Sequence, residues 1–296
     1  MKDFVIYTVV TGGYDGILQP IVVDDRFDYV LFTNDGMKST GVWTVRPIPD
    51  VISGDNKRLS RYPKTHPESL LSEYKASLYI DANIQIVDQW VYQRFLDLYS
   101  QGAEYAGVRL VLTGRDCIYE HSLDMCLWRL EYPSIAVKQC HALFAKGFPR
   151  HFGINENNVI FRIHSDTMKV VDEEWWRWIT MYSSRDQFSY MYCLWKYKVE
   201  LNYFLPIGED ARNGSHFKLI NHDGRANVQR VKLVKLGFIR RLFLKSLRDN
   251  PELGLKRWRI IYESSFPMTS MYLVGLLSIV SVVPLKLRGA FSKSTK

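Results

Sequence analysis

The chain has 296 residues, 47% hydrophobic and 24% charged, with 39 Lys and Arg against 31 Asp and Glu and a net charge of +8. That balance excludes a disordered or low-complexity chain, and the length buries the core of one or two domains. The charge is uneven: positions 225–259 hold eleven Lys or Arg and two acids, Asp249 and Glu252, which leaves the rest near neutral.

In chain order, Phe4–Val10 is a β-branched apolar run, the pattern of a buried first strand. It stops at Thr11-Gly12-Gly13-Tyr14-Asp15-Gly16, where three glycines let the backbone turn sharply and approach a ligand. Residues 29–33 read as a second strand ending at Asn34-Asp35-Gly36, and 43–46 as a third ending at Pro47-Ile48-Pro49. The basic, proline-containing stretch 58–67 reads as loop, and 68–75 as a helix leading into a strand at 78–80. That strand meets Asp81-Ala82-Asn83 before apolar alternation resumes through Ile86. A helix at 87–99, a strand at 105–112 and helical pattern over 116–146, broken near Pro133, come next. Residues 158–163 read as a strand, 167–182 as a Trp-rich helix, and 184–197 as a helix opening with Arg185-Asp186-Gln187. Strands alternating with helices predict an α/β fold with a mostly parallel sheet.

After Asp223 the character changes. Apolar residues mix with Lys and Arg at helical spacing over 229–248, and 264–285 carries no charge over 22 residues. That length matches a bilayer span. Basic flanks on both sides favour instead a helix lying on an anionic membrane surface. The expected division is a catalytic domain at 1–223 and a basic, apolar helical extension at 224–296. Cys117, Cys126, Cys140 and Cys193 lack zinc-like spacing and read as reduced thiols. The first residues lack a signal-peptide pattern, so the expected location is cytoplasmic, peripheral on the membrane.

The candidate chemistry sits at strand ends. No G-x-G-x-x-G and no G-x-x-x-x-G-K-[ST] occurs, which counts against a dinucleotide dehydrogenase and a P-loop NTPase. Asp81, at the carboxyl edge of a buried strand, is placed where open α/β sheets bind ligands, although Asp-Ala-Asn also makes a plain turn. Its carboxylate suits Mg²⁺ or Mn²⁺ shared with a diphosphate. Asn83 offers only a neutral amide oxygen, so a metal-free site balanced by Arg58, Arg61 or Lys64 is the other reading. Asp186 fits a first-turn residue near the helix dipole or a catalytic carboxylate oriented by Arg185. His216 or His222 completes a metal site or is a solvated loop histidine.

Several of these segments, in order, resemble one family. Tyr7-Thr8-Val9-Val10-Thr11-Gly12-Gly13-Tyr14-Asp15, Asp28-Tyr29-Val30-Leu31-Phe32-Thr33-Asn34-Asp35, Tyr74-Lys75 and Tyr79-Ile80-Asp81-Ala82-Asn83 carry the first half of the resemblance. Asp116-Cys117-Ile118-Tyr119-Glu120, Asn157-Asn158-Val159-Ile160-Phe161-Arg162, Trp175-Trp176 and Ser184-Arg185-Asp186-Gln187 carry the second. They resemble the glycosyltransferases once grouped as a domain of unknown function, DUF616, over residues 4–222. The resemblance implies a GT-A fold and a sugar moved from a nucleotide-sugar to a glycan or lipid-linked acceptor, as in capsule or lipopolysaccharide biosynthesis. It implies donor contacts from Thr8, Gly12, Gly13, Tyr14, Asp15, Asn34, Asp35, Asp81 and Asn83, to which the reading of the residues adds Arg58, Lys64 and Lys75 as candidates. It further implies a divalent Mn or Mg ion on Asp81, catalysis by Asp186 with Arg185, and acceptor contacts from Asn157, Trp176 and Gln187. The expected partners are donor, acceptor and anionic membrane, not nucleic acid. A non-catalytic glycan-binding relative is the alternative, which Asn83 in place of a second Asp permits.

Overall fold

The computed structural model describes residues 2–36, 38–212, 214–220 and 237–282. Its contacts divide the chain into two units, Met1–Asp116 with His151–Arg230, and Cys117–Arg150 with Val231–Lys296. Sequence pattern placed 117–150 in the catalytic domain; in the structure those residues join the C-terminal segment, because their apolar helix faces pack with it.

The first unit is α/β. Strands β1 (Phe4–Val10), β2 (Phe27–Thr33), β3 (Thr44–Pro47) and β4 (Ala76–Ile80) form the parallel part of a seven-stranded sheet. The sheet continues through β6 (Tyr105–Gly107), β7 (Val159–Ile163) and β8 (Asn202–Tyr203), in the order β3-β2-β1-β4-β7-β6-β8. A separate antiparallel pair joins β5 (Ile84–Ile86) to β9 (Phe217–Leu219). Only β7 runs against its neighbours β4 and β6, so the sheet is mixed but mostly parallel.

Alternation of side chains sorts the sheet's two faces. Phe4, Phe27 and Phe161 pack against Phe95 of α4 (Trp90–Ser100) on one face. Tyr7 and Arg162 turn to the other, where Arg162 bonds Asp172 of α7 (Asp166–Met181). Arg162 is fully buried. It also donates to Tyr7 Oη and, at 2.8 Å, to the Lys64 carbonyl.

Strand register gathers one edge. Val10 pairs with Thr33, Tyr7 with Tyr79, and Ile80 with Val159. The loops after β1, β2 and β4, and the segment before β7, therefore share the carboxyl edge of the parallel strands. Three one-turn helices, α1 (Asn56–Leu59), α2 (Arg61–Lys64) and α3 (Pro67–Leu70), occupy the stretch expected to be loop and helix. Asp55 caps α1 through Arg58 N–H, and Pro67 begins α3, where its missing N–H is no loss.

The second unit is helical: α5 (Ile118–Leu127), α6 (Pro133–Ala145), α9 (Phe238–Arg248), α10 (Pro251–Glu263) and α11 (Pro267–Val282); α8 (Tyr190–Lys196) belongs to the first unit. Tyr119 stacks on Tyr262 with ring centroids 4.8 Å apart, and Trp258 Nε1 donates to the Tyr119 carbonyl at 3.0 Å. Gly254 lies where a Cβ would come 2.1 Å from the Leu247 carbonyl oxygen, so the α9–α10 approach requires glycine. The expected helix at 229–248 is present from Phe238; its first residues lie outside the described ones. Among the described residues no helix is long and apolar enough to cross a membrane.

Candidate functional site

The glycine turn after β1 is held from two sides. Gly12 and Gly13 have φ of 62° and 59°, a region that favours glycine, and a Cβ on Gly12 would meet Asn56 Nδ2 at 2.4 Å. Gly12 N–H donates to Asn34 Oδ1 at 3.1 Å, and Gly13 N–H donates to Asp35 Oδ2 at 2.7 Å. Asn34 Nδ2 donates in turn to Asn56 Oδ1 at 3.1 Å. The end of β2 thus pins the turn after β1. Both loop N–H groups are engaged by protein oxygens, so in this arrangement neither is offered to a phosphate.

Asp81 sits at the end of β4. Its backbone N–H donates to the Asn158 carbonyl at 2.8 Å, and Oδ1 accepts Tyr79 Oη–H at 2.6 Å. Lys64 Nζ lies 3.5 Å from the same oxygen and 2.5 Å from Asp186 Oδ2. The Lys64 side chain is 1% exposed, with its ammonium 4.5 Å from the centre of the Tyr79 ring. Arg61 Nε is 3.7 Å from Asp186 Oδ2. Two cations and two carboxylates thus meet at one sheet edge.

Asp186 is fixed by more than its cations. Its carbonyl accepts Trp175 Nε1–H at 3.0 Å, and Oδ1 accepts Gln187 N–H at 3.0 Å. Burial alone would raise its pKa, but the charges of Lys64 and Arg61 outweigh this and hold it at about 2. A carboxylate that acidic is a weak proton acceptor at neutral pH. The environment suits a residue that positions Lys64 better than the general base expected from sequence.

Beside Asp81 lies a buried acceptor cluster. Asn155, Glu156, Asn157 and Asn158 are all at most 5% exposed, and each keeps one side-chain oxygen without a partner: Oδ1, Oε1, Oδ1 and Oδ1. Glu156 Oε2 accepts Asn158 Nδ2–H at 2.7 Å and is ion-paired with Arg212. Burial pushes the Glu156 carboxyl up, Asp210 and Asp81 add to this, and Arg212 opposes it. Asn157 adopts φ of 58°, and Gln187 Nε2 donates to the Glu156 carbonyl at 3.2 Å. Thr8 Oγ1, also buried without a partner, opens with Asp81 onto a narrow cleft bounded by Leu18, Trp43 and Ile84. Buried polar atoms are nearly always satisfied, so such a cluster marks a place for water or a hydroxyl-bearing ligand.

Other expected residues land elsewhere. Arg58 pairs with Asp55 at 2.7 Å and donates to the Ile179 and Tyr182 carbonyls, tying α1 to the end of α7. Lys75 precedes β4, at the opposite edge from Asp81, and pairs with Asp3 at 2.7 Å. Its place in the chain next to Tyr74 put it among donor contacts; strand direction removes it. Trp176 packs on Tyr62 and His66, with centroids 5.3 and 5.7 Å apart, while the contact with Asp186 belongs to Trp175. Burial raises the pKa of the Tyr14 hydroxyl, the charge of Asp15 adds to this, and that of Arg61 opposes it. Arg185 helps to hold Asp186 ionised.

Of the expected metal ligands, His216 does not reach Asp81. His216 Nδ1 lies 2.8 Å from Asp88 Oδ2 and the ring stacks on Trp90 at 3.9 Å. Its carbonyl accepts Val87 N–H, which places it at the far end of the β5–β9 pair from Asp81. The Asn83 carbonyl accepts Ile220 N–H at 2.9 Å, and His222 lies outside the described residues. Among the described residues no trio of His, Cys or carboxylate ligand atoms gathers at the Asp81 edge. One carboxylate with an ammonium 3.5 Å away is a poor fit for a resident divalent cation.

Arg61, named from sequence as a phosphate-balancing cation, stands beside Asp186; Tyr79, Glu156, Asn158 and Arg212 join the site without having been singled out as donor, acceptor or catalytic residues. The legible signal for two of them is the polar run Asn155-Glu156-Asn157-Asn158 directly before a buried strand. No protein-family model matches the chain, and no curated protein matches it.

Proposed function

We propose that the chain is a nucleotide-sugar-dependent glycosyltransferase of GT-A-like architecture, acting on a glycan or lipid-linked acceptor in surface polysaccharide biosynthesis. The observation that carries this reading is the Lys64 ammonium, buried beside Arg61 at the carboxyl edge of β4 and shared by Asp81 and Asp186. A diphosphate leaving group gains negative charge as its bond to the anomeric carbon breaks, and fixed cations lower that barrier. Asp186 and Tyr79 hold the cation in place. The unpaired oxygens of residues 155–158 suit the hydroxyls of a sugar, each of which has a proton to donate.

In the proposed reaction an acceptor oxygen forms the new bond to the anomeric carbon. The old carbon–oxygen bond breaks, and the nucleoside diphosphate leaves with its electron pair. The acceptor proton passes to a base. Glu156, with its carboxyl raised by burial, is better matched to that task than Asp186. Divalent cations enter as a variable of the test, since a metal brought in with the nucleotide needs few protein ligands.

The test is nucleoside diphosphate release by the purified full chain from UDP-, GDP-, CDP- and ADP-sugars, with and without Mn²⁺. Release from one donor that Lys64→Met abolishes supports the reading. No release and no thermal shift with any donor, together with retained glycan binding, assigns the chain to the non-catalytic binders.

A further inference from the structure

The helical unit exposes apolar and basic side chains that its own core does not use. On α10, Leu253, Lys256 and Ile260 follow one another at steps of three and four and are all exposed, Ile260 by 63%. Phe266, between α10 and α11, is 72% exposed. On α11, Tyr272, Leu273 and Leu276 form an exposed stripe at the same helical spacing, while Met271 and Gly275 turn inward. Arg241, Lys245, Arg248 and Arg259 are exposed as well. Positions 237–282 carry seven Lys or Arg against three acids, and every charge lies before Ser264.

We propose that these side chains form one face that docks on an anionic lipid surface, with Phe266, Tyr272, Leu273 and Leu276 entering the interface and the cations of α9 and α10 meeting lipid phosphates. Aliphatic and aromatic side chains beside Lys and Arg are the composition of a helix lying at the headgroup–acyl boundary. A second copy of the chain is the poorer occupant, because pairing this face with itself opposes cations to cations. The proposal goes beyond the glycosyltransferase reading and stands independently of it, since it concerns lipid binding rather than turnover.

The experiment is cosedimentation of the full chain with vesicles of phosphatidylcholine alone and of phosphatidylcholine with about a third phosphatidylglycerol. The chain should pellet with the anionic vesicles, and added salt should weaken the binding. The triple variant Tyr272→Ser, Leu273→Ser, Leu276→Ser should lose about tenfold in partitioning while its melting temperature holds. Lys256→Glu with Arg241→Glu should reduce binding to anionic vesicles only. Ile21→Ser with Ile207→Ser, exposed apolar positions of the α/β unit, should change nothing. The proposal is overturned if neither vesicle binds, if a well-folded triple variant binds as wild type, or if the triple variant instead abolishes a concentration-dependent dimer.

Discussion

Lys64 and Asp186 are 122 residues apart in sequence and 2.5 Å apart in space. Each was a candidate from its own surroundings, but their pairing was not legible, because sequence spacing carries no information about contacts between distant loops. The pairing alters both roles. Asp186 changes from proton acceptor to holder of the ammonium, and its acidity has a thermodynamic consequence. Its folded pKa of about 2 lies below the ordinary aspartate value of 3.8. The pair therefore stabilises the fold above pH 4, and that stability drains away as pH falls toward 2. At about 1.4 kcal/mol per pKa unit the contribution is about 2 kcal/mol. Asp24, held at about 2 by Arg26, titrates in the same window, so the comparison must be with a variant. Denaturant melts at pH 6 and pH 2.5 should show a smaller acid loss for Asp186→Asn than for wild type. Lys64→Met should cost more at neutral pH, about 3–5 kcal/mol, because a buried carboxylate is left without its close partner.

The carboxyl edge of the sheet owes its geometry to elements that never reach it. Arg162 on β7 bonds Asp172 of α7, Tyr7 of β1 and the carbonyl of Lys64 on α2. Arg162→Met should lower unfolding free energy by about 3–5 kcal/mol in urea titration, since Asp172 stays buried and unpaired. Arg162→Met with Asp172→Leu should recover much of that loss. Strands β1, β2, β4 and β7 were legible because buried parallel and central strands are continuous apolar runs. The helical turns at 56–64 were not, because Pro63 and four basic residues resemble a loop in composition. Arg185-Asp186-Gln187 was expected to open an α-helix. Instead a 3₁₀ turn spans Asp186–Phe188 before α8, with the Asp186 side chain bonding the next backbone N–H. At the glycine turn, Gly12→Ala should lower the melting temperature, since the new Cβ displaces Asn56 and with it the hold on Asn34.

For the molecule as a whole, the boundary matters more than the tail's composition. Truncation after Arg230 removes α9, α10 and α11 and with them the partners of Tyr119 and His141 in the same unit. Size-exclusion chromatography of such a truncation should show aggregation rather than a clean monomer, so the proposed membrane binding is tested by point variants. The basic and apolar character of this region was legible; its dependence on 117–150 was not, because amphipathic helices do not announce which other helix they cover.

That divided unit also sets a timetable. During synthesis α5 and α6 leave the ribosome first, and the 80 residues from His151 to Arg230 follow before any of α9 begins. At about 5–20 residues per second the wait is roughly 4–16 s, long compared with the microseconds in which a helix forms. Throughout it, Tyr119, Ser122 and Phe144 lack Trp258 and Tyr262, which meet them in the finished protein. The nascent chain thus exposes this surface over a defined range of lengths, and ribosome-bound intermediates stalled between residues 190 and 230 should bind chaperones more than the released full chain.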